Sequence, residues 1–168
     1  MLTLRPEDAS DVPLLRELYA STRADEMAAV PWDEADRSAF LRMQFDAQRQ
    51  HYRRSYPDAA FQIVLVDERW AGRLYVDRAA DEIRLIDISL RLEYRRRGIG
   101  TTLLGALLAE ANELGRRVTL HVERRNPARR LYERLGFQAL GDDGIYVRME
   151  WRASALSEKL TISIGGQE

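Results

Sequence analysis

The chain alternates between two hydrophobic periods. Leu2 and Leu4 stand two apart before Pro6, as in a short strand, and from Val12 the apolar positions Leu15, Leu18 and Tyr19 recur at helical spacing. Asp8 or Ser10 can cap that helix, and Pro31 closes the region. Asp33 predicts the N-cap of a second helix, in which Phe40, Leu41, Gln44, Phe45 and Gln48 keep the helical period up to Tyr56-Pro57. The period then changes. Phe61–Val66, Gly72–Val76 and Ile83–Leu90 are β-rich runs separated by charged turns, the pattern of an antiparallel meander. A long apolar helix follows from Ile99 to Leu114, stopped by Gly115, where a left-handed residue costs glycine least. Val118–Val122 reads as a strand. Asn126-Pro127 opens another helix, because Asn caps free amides and Pro is tolerated in the first turn, and that helix runs to Leu135 and stops at Gly136. Two strands, around Phe137–Leu140 and Ile145–Trp151, close the pattern across a Gly141–Gly144 turn.

This order predicts a single α/β (α+β) domain over residues 1–152, and a peripheral tail from 153 to 168 in which Leu160–Ile164 alternates like an edge strand. No repeat or linker divides the 168 residues. The start, MLTLRPEDAS, lacks the charged-then-apolar pattern of a signal peptide, and no apolar run approaches membrane-spanning length, so a cytoplasmic protein without a membrane partner is expected.

Composition narrows the chemistry. With 26 basic and 27 acidic side chains the net charge is −1, which argues against a nucleic-acid partner held by overall charge. All but one of the basic residues are Arg; Lys159 is the exception. The absence of cysteine excludes a thiolate metal site and a cysteine nucleophile, and two distant histidines argue against a His-rich metal centre, so no metal is expected.

The most informative segment is Leu90-Arg-Leu-Glu-Tyr-Arg-Arg-Arg-Gly-Ile-Gly-Thr101, between a hydrophobic strand and an apolar helix. Gly98 and Gly100 leave the backbone bare, so that N–H groups can approach an anion, and the positive end of the following helix points to the same place. Arg95, Arg96 and Arg97 add charge, and a pyrophosphate suits the arrangement. A P-loop is excluded because the segment has no lysine and its glycines are two apart. A Rossmann fingerprint is excluded because its third glycine would fall on Leu103.

This junction resembles the R/Q-x-x-G-x-G/A signature of the GCN5-related N-acetyltransferase (GNAT) superfamily, matched by Arg95, Gly98 and Gly100. Asn126-Pro-Ala-Arg-Arg-Leu-Tyr-Glu-Arg-Leu-Gly-Phe137 resembles a second segment of that superfamily, in the right order and at the right distance. The resemblance runs from Thr3-Leu-Arg-Pro6 to about Met149. It implies a mixed, mostly antiparallel sheet of about seven strands flanked by about four helices and splayed between strands 4 and 5, where the pantetheine arm of an acyl-CoA fits.

By the same resemblance acetyl-CoA is the co-substrate. The backbone of Leu90, Arg91 and Leu92 would pair with the pantetheine, and Arg95, Arg96, Arg97, Gly98, Ile99, Gly100 and Thr101 would form the pyrophosphate loop. Asn126 would touch the pantetheine side, and Tyr132 would protonate the leaving thiolate. Asn126 precedes Tyr132 by six residues where many relatives have seven, and Leu92 replaces a frequent proline.

An ammonium acceptor must lose a proton before it attacks. His121 stands where some relatives carry a catalytic carboxylate, and its ordinary pKa of about 6.5 suits a base, although a hydrogen-bonded strand histidine explains it equally. Asp87 and Glu123 are weaker candidates, and His51 has no assigned role. Between Asp25 and Asp36 five acidic residues and Trp32, with no basic residue, could attract a cationic small-molecule amine; Asp33, Glu34 and Asp36 could equally favour a helix start. Three function classes stay open: a small-molecule N-acetyltransferase, a protein N-terminal or lysine acetyltransferase, and a non-catalytic acyl-CoA sensor. Dimers are frequent in the superfamily, which leaves a homodimer open.

Overall fold

The computed structural model of the chain describes residues 1–154. The tail beyond, including Leu160–Ile164, lies outside the described residues. Seven strands form one sheet in the order β1-β2-β3-β4-β5-β7-β6, and the chain clusters into two compact units.

The first unit comprises Met1–Asp77 and Ile86–Gly100. Its β1 (Leu2–Pro6) pairs antiparallel with β2 (Ala60–Val66), which pairs antiparallel with β3 (Arg69–Arg78, of which Arg78 belongs to the second unit). Asp8 accepts from the Ser10 N–H, and Asp11 closes the capping box of a short 3-10 turn that feeds α1 (Val12–Thr22). The N-cap of α3 (Glu34–Ser55) is Asp33, whose carboxylate accepts from the Asp36 N–H at 2.8 Å. Leu15 and Tyr19 of α1, Phe45 of α3 and Ile63 of β2 form one buried cluster edged by Trp70. Each such side chain contributes about 1.5–3 kcal/mol by leaving water. The sequence pattern missed α2 (Ala24–Ala28), a five-residue helix that brings the count among the described residues to five where about four were expected. Nothing in α2 is buried, so it writes no apolar period into the sequence.

Polar groups are also sealed beneath α3. The Glu7 carboxylate is fully buried and accepts from Arg49, from Arg53 at 2.8 Å and from the Tyr75 hydroxyl. Arg73, 4% exposed, donates to Gln48 at 2.9 Å and to Asp87 at 2.8 Å. Asp87 also accepts from the Tyr52 and Ser89 hydroxyls. Burial pulls against the Arg73 charge, but the neighbouring Asp87 overcomes it and holds the guanidinium more firmly protonated than usual.

One glycine is required by packing. A Cβ on Gly72 of β3 would lie 2.1 Å from the Ser89 carbonyl oxygen and 3.0 Å from the Leu90 Cα, backbone atoms that cannot give way cheaply. Arg91 N–H donates to Ala71 O beside it at 2.8 Å, so this close approach sets where the end of β4 (Glu82–Leu90) lies. Gly72→Ala is expected to cost about 3 kcal/mol in urea unfolding; an unchanged midpoint would show that the strands part without cost.

The second unit comprises Arg78–Leu85 and the chain from Thr101 on. β5 (Arg117–Glu123) pairs parallel with β4 over four residues, Glu82–Leu85 against Arg117–Leu120, although β4 runs on to Leu90 and β5 to Glu123. The parallel pairing makes the sheet mixed, as expected. β7 (Tyr146–Trp151) pairs antiparallel with both β5 and β6 (Gln138–Asp142). Alternation sends Val118, Leu120, Val122, Val147 and Met149 into the core, while α4 (Ile99–Leu114) buries Leu103, Leu104, Leu107, Leu108 and Ala111. Among the described residues no helix is long and apolar enough to cross a membrane.

Candidate active site

The strand end and loop singled out in the sequence form a braced structure. After β4 the chain makes a 3-10 turn, Leu92–Tyr94, in which Tyr94 N–H donates to Arg91 O at 2.9 Å and Arg95 N–H to Leu92 O at 3.2 Å. The Arg95 Nε donates to Leu90 O at 2.8 Å. Arg95 thereby ties the loop to the strand end. The Leu90 and Arg91 carbonyls thus already accept bonds within the chain.

Arg91 is held elsewhere, its guanidinium on Trp70 O at 3.1 Å, over the Trp70 ring and against Glu93 at 2.7 Å. Arg97 stacks over Tyr94 at 5.7 Å, and Arg96 has a left-handed φ of 59° and is exposed. Gly98, at φ 76°, is the residue that turns the chain into α4. Space around it is open, since a Cβ there would meet nothing within 4 Å. Ile99, Gly100 and Thr101 form the first turn of α4, whose leading N–H groups have no acceptor within the helix. Open space, bare backbone and two exposed arginines fit a diphosphate.

In the second unit, Asn126 accepts from Ala128 N–H at 2.9 Å and so starts α5 (Ala128–Arg134). The N-cap position itself falls on Pro127, one residue later than expected, and Asn126 satisfies the first N–H of the helix. Tyr132 lies on α5, is 6% exposed, and packs edge-on against Phe137 at 5.7 Å.

His121 has a partner the sequence did not suggest. Its Nδ1 faces the Arg84 guanidinium in hydrogen-bonding contact, which makes Nδ1 the acceptor and leaves the ring proton on Nε2. Burial, then Arg84 and Arg148, lower its pKa below the ordinary histidine value. The lone pair a base would use is therefore engaged by a cation, which counts against His121 as proton acceptor. Arg84 could have been found by noting that it shares a strand face with Thr119 once β4 is set beside β5. Asp87 is likewise committed to Arg73, Tyr52 and Ser89.

The acidic segment resolves into helix starts: Asp25 and Glu26 stand in the first turn of α2, Asp33 caps α3, and Glu34 and Asp36 stand in its first turn. Glu26 pairs with Arg23 at 3.3 Å, and Trp32 packs on Phe40 at 5.1 Å. Local structure accounts for this run without an acceptor. Among the described residues no group of three or more His, Asp or Glu side chains could hold a metal ion.

Fold and loop together define an acyl-CoA acetyltransferase architecture. A model of the acetyltransferase (GNAT) family matches residues 16–137, and the chain belongs to that family. Among solved structures, it is similar to the PaiA N-acetyltransferase of Thermoplasma acidophilum in complex with coenzyme A, at 21% identity over 91% of this chain and 99% of that one, with a TM-score of 0.66. It is also similar to an acetyltransferase from Thermus thermophilus, at 19% identity over 91% and 97% of the two chains, TM-score 0.63. A third is the ribosomal-protein-S18-alanine N-acetyltransferase of Escherichia coli, at 23% identity over 92% and 95%, TM-score 0.59. No curated protein sequence matches the chain.

Proposed function

We propose that the protein transfers the acetyl group of acetyl-CoA to the primary amine of a small molecule, by direct attack in a ternary complex. The observation that carries this reading is the turn at Gly98, whose positive φ and open surroundings present the first turn of α4 to a phosphate group, with Arg96 and Arg97 exposed beside it. When bound, the co-substrate supplies a thioester carbon open to attack by an amine. With no cysteine in the chain, no thiol acyl-enzyme can form, and the amine attacks that carbon itself.

Tyr132 is assigned as the acid, its hydroxyl giving a proton to the departing sulfur. His121 and Asp87 are both engaged, so the amine proton is assigned to water. Tyr132→Phe keeps the ring against Phe137 and removes only the hydroxyl. It is expected to lower kcat about 100-fold while the KM for acetyl-CoA moves less than about twofold. Full activity would transfer the acid role to water. Thiol release from acetyl-CoA with a panel of small amines and peptides tests the whole reading. Turnover only with peptides would make the protein a peptide or lysine acetyltransferase, and binding without turnover would make it a sensor.

A further inference from the structure

The face of the second unit that carries His121 holds an unusual arrangement of charge. On β5 the residues Val118, Leu120 and Val122 are buried, so Thr119 and His121 lie on the opposite side of the strand. Register places His121 directly across from Arg148 of β7, and Thr119 across from Arg84 of β4. Arg84 reaches the His121 Nδ1 from the other side. Two arginines from the strands on either side thus flank His121, the first β5 residue past the last parallel pair, Leu85 with Leu120.

The carboxylates nearby divide their charge among several partners. Glu82 accepts from the Thr119 hydroxyl and pairs with Arg117 at 3.5 Å and, more loosely, with Arg84 at 3.9 Å. Glu150 pairs with Arg117 at 3.7 Å and with Arg152. Asp143 accepts from the N–H groups of Ile145 and Tyr146. Arg148 is exposed, and its guanidinium makes no hydrogen bond or ion pair among the described residues. Arg84 and Arg148 act on His121 more strongly than Asp143 and Glu82 do, so the field at the ring stays positive, and an oxyanion placed between the guanidinium groups gains charge-assisted bonds.

We propose that Arg84, His121 and Arg148 bind an oxyanion, a carboxylate or a phosphate, carried by the acceptor, which makes the acceptor an acidic amine and not a purely cationic one. This deepens the acetyltransferase reading and rests on it. His121 serves here as a neutral donor through Nε2, flanked by two guanidinium groups, and the acceptor is held by its anion while its amine is left to react.

The experiment compares acceptors that differ in the anion alone: glycine with glycinamide, and 2-aminoethyl phosphate with ethanolamine. The acidic member of at least one pair is expected to show kcat/KM higher by about tenfold or more, as one charge-assisted bond supplies. Arg148→Ala is expected to remove that preference through the acceptor KM, with acetyl-CoA affinity by calorimetry unchanged. Equal rates for both members of both pairs, or a preference that survives Arg148→Ala, would overturn the proposal. A chain that fails to bind acetyl-CoA at all would overturn the acetyltransferase reading instead.

A second measurement needs no turnover. The chain has two histidines, and His121→Gln assigns their imidazole resonances. Inorganic phosphate should raise the His121 pKa in the wild type, because an added anion offsets Arg84 and Arg148, and should leave it unmoved in Arg148→Ala. No response to millimolar phosphate in the wild type would overturn the oxyanion site.

Discussion

Gly98→Glu should abolish binding of acetyl-CoA while the chain stays folded. Gly98 has φ 76°, so any side chain there costs about 1–3 kcal/mol of backbone strain. Yet a Cβ meets nothing within 4 Å, so the glutamate extends into open space and displaces no core. Its carboxylate would then stand at the first turn of α4, where the helix favours an anion, and would occupy the place proposed for the diphosphate. The expected loss is about 100-fold or more in affinity by calorimetry, equivalent to roughly 2.7 kcal/mol. Gly98→Ala separates the two causes, because it imposes the strain without the charge and should cost tenfold or less. Retained affinity in Gly98→Glu, with an unchanged circular dichroism spectrum, would remove the diphosphate assignment from this loop.

Asp87→Ala is expected to destabilise the fold strongly, by about 3–5 kcal/mol. It leaves the Arg73 guanidinium, 4% exposed, without its carboxylate, and takes an acceptor from Tyr52 and Ser89. Since a domain of this kind is stable by only about 5–15 kcal/mol, the effect should be visible as a large fall in the urea midpoint. Arg73→Met supplies the control. In that background Asp87 has no buried cation to neutralise, so its removal should cost much less. An equal cost in both backgrounds would mean that the pair is not the source of the stability.

The two changes probe residues of different legibility. Gly98 was marked by two glycines at fixed spacing between a strand and an apolar helix, a local pattern that needs no knowledge of the fold. Asp87 was visible only as a charge interrupting an apolar strand, and the sequence offered it as a weak base. What makes it a brace is Arg73 on β3 and Tyr52 on α3, brought from 14 and 35 residues away. Arg95 shows the same limit. The superfamily signature includes it in the pyrophosphate loop, and only the fold shows that its Nε holds Leu90 O.

Local physics is written in the sequence because it acts within a few residues. The 3.6-residue period placed α3 and α4 almost residue for residue. Asp33 and Asn126 accept from N–H groups two or three residues on, as their types predict, and Gly98, Gly115 and Gly136 take the positive φ that glycine alone adopts freely. Together with the two superfamily segments, this determined the architecture and the family. The tertiary structure decided the partners. Periodicity says which face of a strand is buried but not which strand lies beside it, so the insertion of β7 between β5 and β6, and the meeting of Arg84, His121 and Arg148, could not be read from the order of residues. Arginine makes up 25 of the 26 basic side chains, and each carries the same charge and donors; only distance in the folded chain separates the arginine that braces from those left facing solvent.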